Sequence, residues 1–163
     1  MYVLPTIDDT HAFGRSLASG LRAGDLVILS GPLGAGKTAM AQGVGAGLHV
    51  AGAITSPTFV IARVHQPSTP GGTSLVHVDA YRFGAVADPR AEIDDLDLDA
   101  SMDDAVTLVE WGEGMVEQLS DAHLEVRIER RDDESRAVEL VGHGGDWAER
   151  LSLFDAGLRY VPC

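Results

Sequence analysis

The stretch LSGPLGAGKTA, residues 29–39, follows directly on the apolar run DLVIL and sets three glycines around Lys37, the one lysine of the chain. Within it, Gly31-Pro32-Leu33-Gly34-Ala35-Gly36-Lys37-Thr38 satisfies the pattern G-x-x-x-x-G-K-[ST]. The short apolar segment LVILS before it reads as a strand buried inside a parallel sheet, and residues 38–48 after it read as a helix. In that setting the backbone N–H groups of Gly31, Leu33, Gly34, Ala35 and Gly36 can curl around phosphate oxygens at a helix N-terminus. Lys37 can reach the β and γ phosphates, and the Thr38 hydroxyl can ligate Mg²⁺. A glycine turn with an incidental lysine accounts for neither the full pattern nor its place between strand and helix.

A phosphate loop of this kind also needs an acid at the end of a neighbouring strand to hold the magnesium shell. Two acids qualify. Asp79 closes the apolar run LVHV, and Glu110 closes TLV, so each is expected at the carboxyl end of a strand, where open α/β sheets bind ligands. Thr55-Ser56-Pro57-Thr58-Phe59 offers three hydroxyls on a proline-stiffened loop, which suits either a γ-phosphate sensor or an ordinary Ser/Thr-Pro turn.

Around this centre the chain organises itself by local signals. Thr6 and Asp9 form a capping-box pattern, with Phe13, Leu17 and Leu21 recurring every four residues before Gly24, which predicts a first helix. Gly43, Gly45 and Gly47 weaken the helix after the loop by up to about 1 kcal/mol each relative to alanine, while allowing close packing. SLVHVDAY and AVTLVEW read as strands, the first preceded by the turn-rich QPSTPGGTS. HLEVRIE and RAVELV alternate apolar with polar residues around RRDDES and predict an antiparallel hairpin. Trp147, Leu151, Phe154 and Leu158 share one helical face after Asp146. The expected fold is a single α/β P-loop NTPase domain over residues 1–163, with a mostly parallel central sheet flanked by helices and an antiparallel C-terminal hairpin.

Composition narrows the function. At 163 residues the chain is about one domain long and buries roughly two-thirds of its unfolded surface without staples. A net charge of -13 and a pI near 4.6 argue against strong direct binding to nucleic acid, which draws on many Lys and Arg contacts to phosphate. The lone cysteine, Cys163, excludes an internal disulfide and fits a reducing cytosol. Neither a signal-peptide pattern at MYVLPTIDDTHAFG nor a run of about eighteen apolar residues is present, so a cytoplasmic, non-membrane protein is expected. The acid-dense segment DPRAEIDDLDLDASMDD reads as a solvated helix or loop. Its DLDLDA portion is not a calcium loop, because Ala100 replaces the required glycine and Val106 stands at the position of the bidentate glutamate. A GTPase is excluded by the absence of asparagine, which N-K-x-D requires. Two alternatives to an ATPase stay open: a small-molecule kinase, which would need a lid of arginines where the only adjacent pair, Arg130 and Arg131, falls in the hairpin turn, and a nucleotide-sensing binding module with negligible catalysis.

Four motifs in one order, GPLGAGKTA, TSPTF, HVDAYR and LVEWGE, resemble those of the TsaE (YjeE) family, small bacterial P-loop ATPases required for the threonylcarbamoyladenosine modification of tRNA. The resemblance covers about residues 6–113 in motif terms, and the architecture is similar over nearly the whole length. The resemblance implies ATP/ADP and Mg²⁺ as ligands, with Lys37 and Thr38 serving phosphate and metal. It further implies Glu110 as the Walker-B-like magnesium acid, Asp79 as a second functional acid near the γ-phosphate, and Thr58 within a switch-like loop. Thr6, in PTIDDT, and Arg136 would approach the adenine end, where the match is loose. Ala39 departs from the second threonine that family members often carry after GKT. The implied partners are homologues of TsaB and TsaD, with TsaD performing the carbamoyl transfer.

Overall fold

The computed structural model describes residues 1–55, 62–80, 103–112 and 120–157. The central strand β2 (Leu26–Ser30) is buried along its whole length, as an apolar strand flanked on both sides must be. It pairs in parallel with β5 (Ala105–Glu110) on one side and with β6 (His123–Arg130) on the other. β4 (Ser74–Asp79) adds in parallel to β5 with Asp79 opposite Glu110, so the two acids emerge side by side.

The sheet is mixed rather than mostly parallel, because three of its six pairings are antiparallel. The described strands run in the order β1-β7-β6-β2-β5-β4-β3. The predicted hairpin is present as β6 and β7 (Arg136–His143), and it captures β1 (Tyr2–Leu4) along its outer edge with Tyr2 opposite Val138. At the other edge β3 (Ala62–His65) folds back on β4 through residues 66–73, and a connection that short permits only an antiparallel return. Neither edge strand carries a sequence signal. β1 has three residues, and only His65 of β3 is fully buried.

One face of the sheet carries Leu4, Val27, Leu29, Leu108, Leu124, Val126 and Val138 into a core with Phe13 and Leu17 of α1 (Ile7–Ala18), Met40 and Val44 of α2 (Lys37–Gly47), and Trp147 of α3 (Trp147–Gly157). α1 begins with the predicted capping box: the Thr6 hydroxyl accepts the Asp9 N–H at 3.1 Å and the Asp9 carboxylate accepts the Thr6 N–H at 2.9 Å. The helix stops at Ala18, short of Leu21, which packs on the core from outside it. The glycines of α2 have a packing role. A Cβ on Gly14 would lie 2.5 Å from the Met40 carbonyl, and one on Gly43 would run into the His11 carbonyl, so α1 and α2 meet backbone to backbone.

α3 is fastened by charge as well as by Trp147. The Arg150 guanidinium donates to both oxygens of the buried Asp25 carboxylate, at 2.8 Å to Oδ1, and to the Gly20 carbonyl at 2.6 Å. Asp25 also accepts the Arg22 N–H at 2.8 Å, while the Arg22 side chain bonds Asp146 at 2.7 Å. Leu158, the DPRAEIDDLDLDASM run that contains DLDLDA, and Cys163 lie outside the described residues. Among the described residues no helix is long and apolar enough to cross a membrane.

Removing the guanidinium leaves Asp25 buried beside one remaining backbone donor. Arg150→Ala is therefore expected to cost about 2–3 kcal/mol in urea denaturation, below the range for fully buried pairs because Arg150 keeps a partly exposed edge. A double-mutant cycle with Asp25→Ala should show coupling above about 1 kcal/mol, and additive effects would refute the fastening role.

Candidate functional site

The glycine loop is shaped where β2 ends. Gly31 has φ +141°, and a Cβ there would collide with the Ile128 carbonyl of the neighbouring strand. Only glycine lets the chain leave the sheet this close to β6. The Pro32 carbonyl accepts the Ala35 N–H at 3.1 Å, Gly34 has φ +78°, and Gly36 caps α2 at φ +110°. Ala35 is buried and Leu33 is 88 % exposed at the loop's tip. The loop thus wraps the N-terminus of α2, where backbone N–H groups and the helix dipole favour an anion.

Lys37, the first residue of α2, is almost fully buried. Its ammonium donates to the carbonyls of Gly31 at 2.7 Å and Pro32 at 2.9 Å and lies 3.5 Å from the centre of the Trp111 ring. Burial pushes its pKa below the usual lysine range, and the Glu110 and Asp79 carboxylates oppose that shift. The sequence leaves Trp111 undecided between a packing residue and a contact surface. It stands at φ +62°, an unusual conformation for a bulky residue, directly after the strand end that carries Glu110.

Glu110 joins the remaining pieces. The Thr38 hydroxyl donates to its Oε2 at 3.1 Å, and Nε2 of His77 contacts its Oε1 at 2.8 Å. Glu110 is 2 % exposed and His77 is fully buried. His77 is the residue that sequence reasoning missed. Its signal is the spacing in HVDAYR, which puts it on the same sheet face as Asp79, two residues later on β4. Lys37, Thr38, Asp79 and Glu110, named from sequence, are therefore brought together at the carboxyl ends of β2, β4 and β5.

The two residues assigned to the adenine side lie apart from this cluster. Thr6 is exposed and its side chain is engaged with Asp9. Arg136 is closer to the loop: its Nε would lie 3.6 Å from a Cβ on Gly36, beside Ile7 and Thr10. Arg136 Nη1 donates to the Glu134 carbonyl at 3.0 Å, while the buried Nε has no hydrogen-bond partner. Thr58 and the rest of TSPTF after Thr55 lie outside the described residues.

These groups fit a phosphate and a hard cation. The loop offers amide donors and an ammonium, while Thr38 and Glu110 offer a hydroxyl and a carboxylate, the oxygen donors that Mg²⁺ takes. Among the described residues no group of three or more His, Cys, Asp or Glu side chains converges to hold a metal. The arrangement suits a cation held by one or two protein oxygens together with substrate phosphates, not by an all-protein cage.

The polar side of β2 steadies the loop's base. Ser30 Oγ donates to Oε1 of Glu125 at 3.0 Å, and Arg127 donates to both oxygens of that carboxylate at 2.9 and 2.8 Å. His143 lies 3.6 Å from the same group, and Glu139 shares Arg127 at 3.4 Å. The Arg127 hydrogen bonds, aided by Ser30, hold the Glu125 carboxyl below the usual carboxylate range despite its burial.

Comparison with known proteins gives one family. The model of "Threonylcarbamoyl adenosine biosynthesis protein TsaE" matches residues 4–138. Proteins named tRNA threonylcarbamoyladenosine biosynthesis protein TsaE are similar along most of their length. The one from Streptomyces coelicolor is 58 % identical over 83 % of this chain and 91 % of its own. The one from Mycobacterium tuberculosis strain H37Rv is 54 % identical over 78 % and 77 %, and that from Bacillus subtilis 33 % identical over 91 % and 90 %. The crystal structure of Bacillus YdiB superposes with a TM-score of 0.71 at 27 % identity, covering 95 % of this chain and 93 % of that one.

Two outcomes follow from this geometry. Gly31→Ala should destabilise the protein by roughly 2–4 kcal/mol in urea denaturation, because the new methyl meets backbone at a φ that alanine resists. Wild-type stability in this measurement would rule out the close approach to Ile128. A carboxyl whose pKa is lowered by folding contributes stability above its unfolded pKa and loses it as pH falls through the lowered value. Wild type should therefore lose more stability than Glu125→Gln between about pH 6 and about pH 3. Parallel pH profiles would show that the Ser30–Glu125–Arg127 bonds contribute nothing.

Proposed function

Because the chain belongs to the TsaE family, we propose that it is a P-loop ATPase serving tRNA threonylcarbamoyladenosine biosynthesis, the process named for that family. The observation that carries this reading is the convergence of Lys37 with the Thr38–Glu110 pair at the mouth of a glycine loop. ATP and ADP would bind with their phosphates against the N-terminus of α2, with backbone amides of residues 31–38 as donors.

In this reading Lys37 exchanges the carbonyls of Gly31 and Pro32 for phosphate oxygens, with the Glu110 and Asp79 carboxylates opposing the effect of burial on its charge. Thr38 and Glu110 would hold Mg²⁺. When bound, Mg²⁺ would supply positive charge to neutralise the phosphates. Asp79, opposite Glu110 in the sheet, acts on hydrolysis or on its coupling to partners. Arg136, with its unpaired Nε beside Gly36, is the better supported of the two adenine-side residues; Thr6 is engaged in its cap. ATP is preferred to GTP, since a chain without asparagine cannot form N-K-x-D.

The sequence shows no evident arginine finger or water-positioning glutamine, which supports slow turnover in isolation. A supplied arginine finger is worth about 10³–10⁵ in rate elsewhere in this class. Partners, here homologues of TsaB and TsaD, would then recognise the nucleotide state and promote hydrolysis in the cytoplasm, with Thr58 and its loop as the responsive element. The acidic surface suits contact with proteins rather than with tRNA itself.

Calorimetry tests the assignment. Lys37→Ala should weaken ATP binding at least about tenfold, and equal affinity would sink the phosphate role. Glu110→Ala should reduce the Mg²⁺ dependence of binding more than Asp79→Ala does. Equal effects of the two would reject the division between a metal acid and a hydrolysis acid.

A further inference from the structure

We infer that His77 is a positioning residue for Glu110, fixing which carboxylate oxygen is turned toward Thr38 and the metal site. The inference rests on the reading of Glu110 as the acid of a magnesium–nucleotide site and adds the group that aims it. Glutamate at a strand end has three rotatable side-chain bonds, and a site of this kind works only if its carboxylate is held in one orientation. Here each oxygen has its own partner. Oε1 meets Nε2 of His77 at 2.8 Å, and Oε2 accepts from the Thr38 hydroxyl at 3.1 Å. With Oε1 occupied from the β4 side, only Oε2 is presented to the loop.

A histidine that merely filled space would be a poor choice at this position. The ring is fully buried on the sheet face that also carries Leu75 and, opposite it on β5, Leu108, and its Nδ1 is buried with no hydrogen-bond partner. An apolar side chain of similar volume would fill the same space without stranding a polar nitrogen. The geometry also assigns the tautomer. A carboxylate only accepts, so Nε2 must carry the hydrogen at 2.8 Å, which leaves Nδ1 with a lone pair and no unsatisfied N–H. The Nε2–H therefore holds Glu110 by Oε1 and leaves Oε2 turned toward Thr38.

Groups that orient a metal-binding carboxylate are typically worth about 10–100-fold in metal affinity or activity. The test is calorimetry of a non-hydrolysable ATP analogue with and without Mg²⁺, on wild type, His77→Leu and His77→Gln, with circular dichroism to verify folding. The Leu variant should lose about tenfold or more of the Mg²⁺ enhancement while keeping its metal-free affinity. The Gln variant, which retains an N–H donor, should keep most of the enhancement. In parallel, ¹⁵N–¹H correlation spectra of the nucleotide-free wild type should show His77 as the Nε2–H tautomer, a readout that holds even where the Leu variant does not fold. An Nδ1–H tautomer, or equal Mg²⁺ enhancement in wild type and His77→Leu, overturns the positioning role and leaves the ATPase reading standing. A wild type whose analogue binding ignores Mg²⁺ defeats the metal-site reading itself, and this inference with it.

Discussion

The backbone approach of Gly31 to the Ile128 carbonyl is the constraint from which the site's geometry descends. β2 is clamped between two parallel neighbours, so its end has a fixed position, and the chain must turn out of the sheet against β6 with no room for a side chain. That turn sets where α2 starts, and the start of α2 places Lys37 and Thr38. The register of β5 against β2 then brings Glu110 level with Leu29, two residues before the loop. A shift of one residue in that pairing would turn Glu110 to the other face of the sheet. The chemistry is thus held by strand register, with side-chain hydrogen bonds adding the final orientation.

Much of this is legible in the sequence because the signals are local. A capping box, a fully apolar run and a glycine pattern each declare themselves within a few residues, and so α1, β2, the loop and α2 are readable with their site residues Lys37 and Thr38. Asp79 and Glu110 are readable as strand ends, because a run of apolar residues closing in an acid has one natural reading in an α/β sheet. The hairpin of β6 and β7 follows from period-two alternation.

The rest depends on partners far away in the chain. β1 is a strand only because β7 offers it an edge, and β3 only because residues 66–73 return the chain to β4. Three residues of YVL and four of ARVH hold too little pattern to say so, and this is why the sequence suggests a mostly parallel sheet where a mixed one exists. His77 is hidden for a related reason. Its role needs the lateral pairing of β4 with β5, which sequence spacing within one strand does not reveal. Trp111 is equally silent, since its left-handed backbone and its stacking under Lys37 are properties of the assembled site. The calcium echo in DLDLDA shows the converse. Calcium ligation in such a loop is itself a position-by-position requirement, so Ala100 and Val106 alone suffice to dismiss it.

The backbone contact between α1 and α2 bears on what keeps the phosphate-binding helix folded. Alone, α2 is a poor helix: it is eleven residues long, carries Gly43, Gly45 and Gly47, and begins with glycine at its cap. Its helicity is borrowed from docking, since Gly43 admits the His11 carbonyl, Gly47 admits Arg15 and Ala18 of α1, and Gly45 admits Ile54, each closer than a side chain would allow. The phosphate-binding end of α2 is therefore not stable as a local unit, and the competence of the site depends on the docking of α1 and the placement of β2.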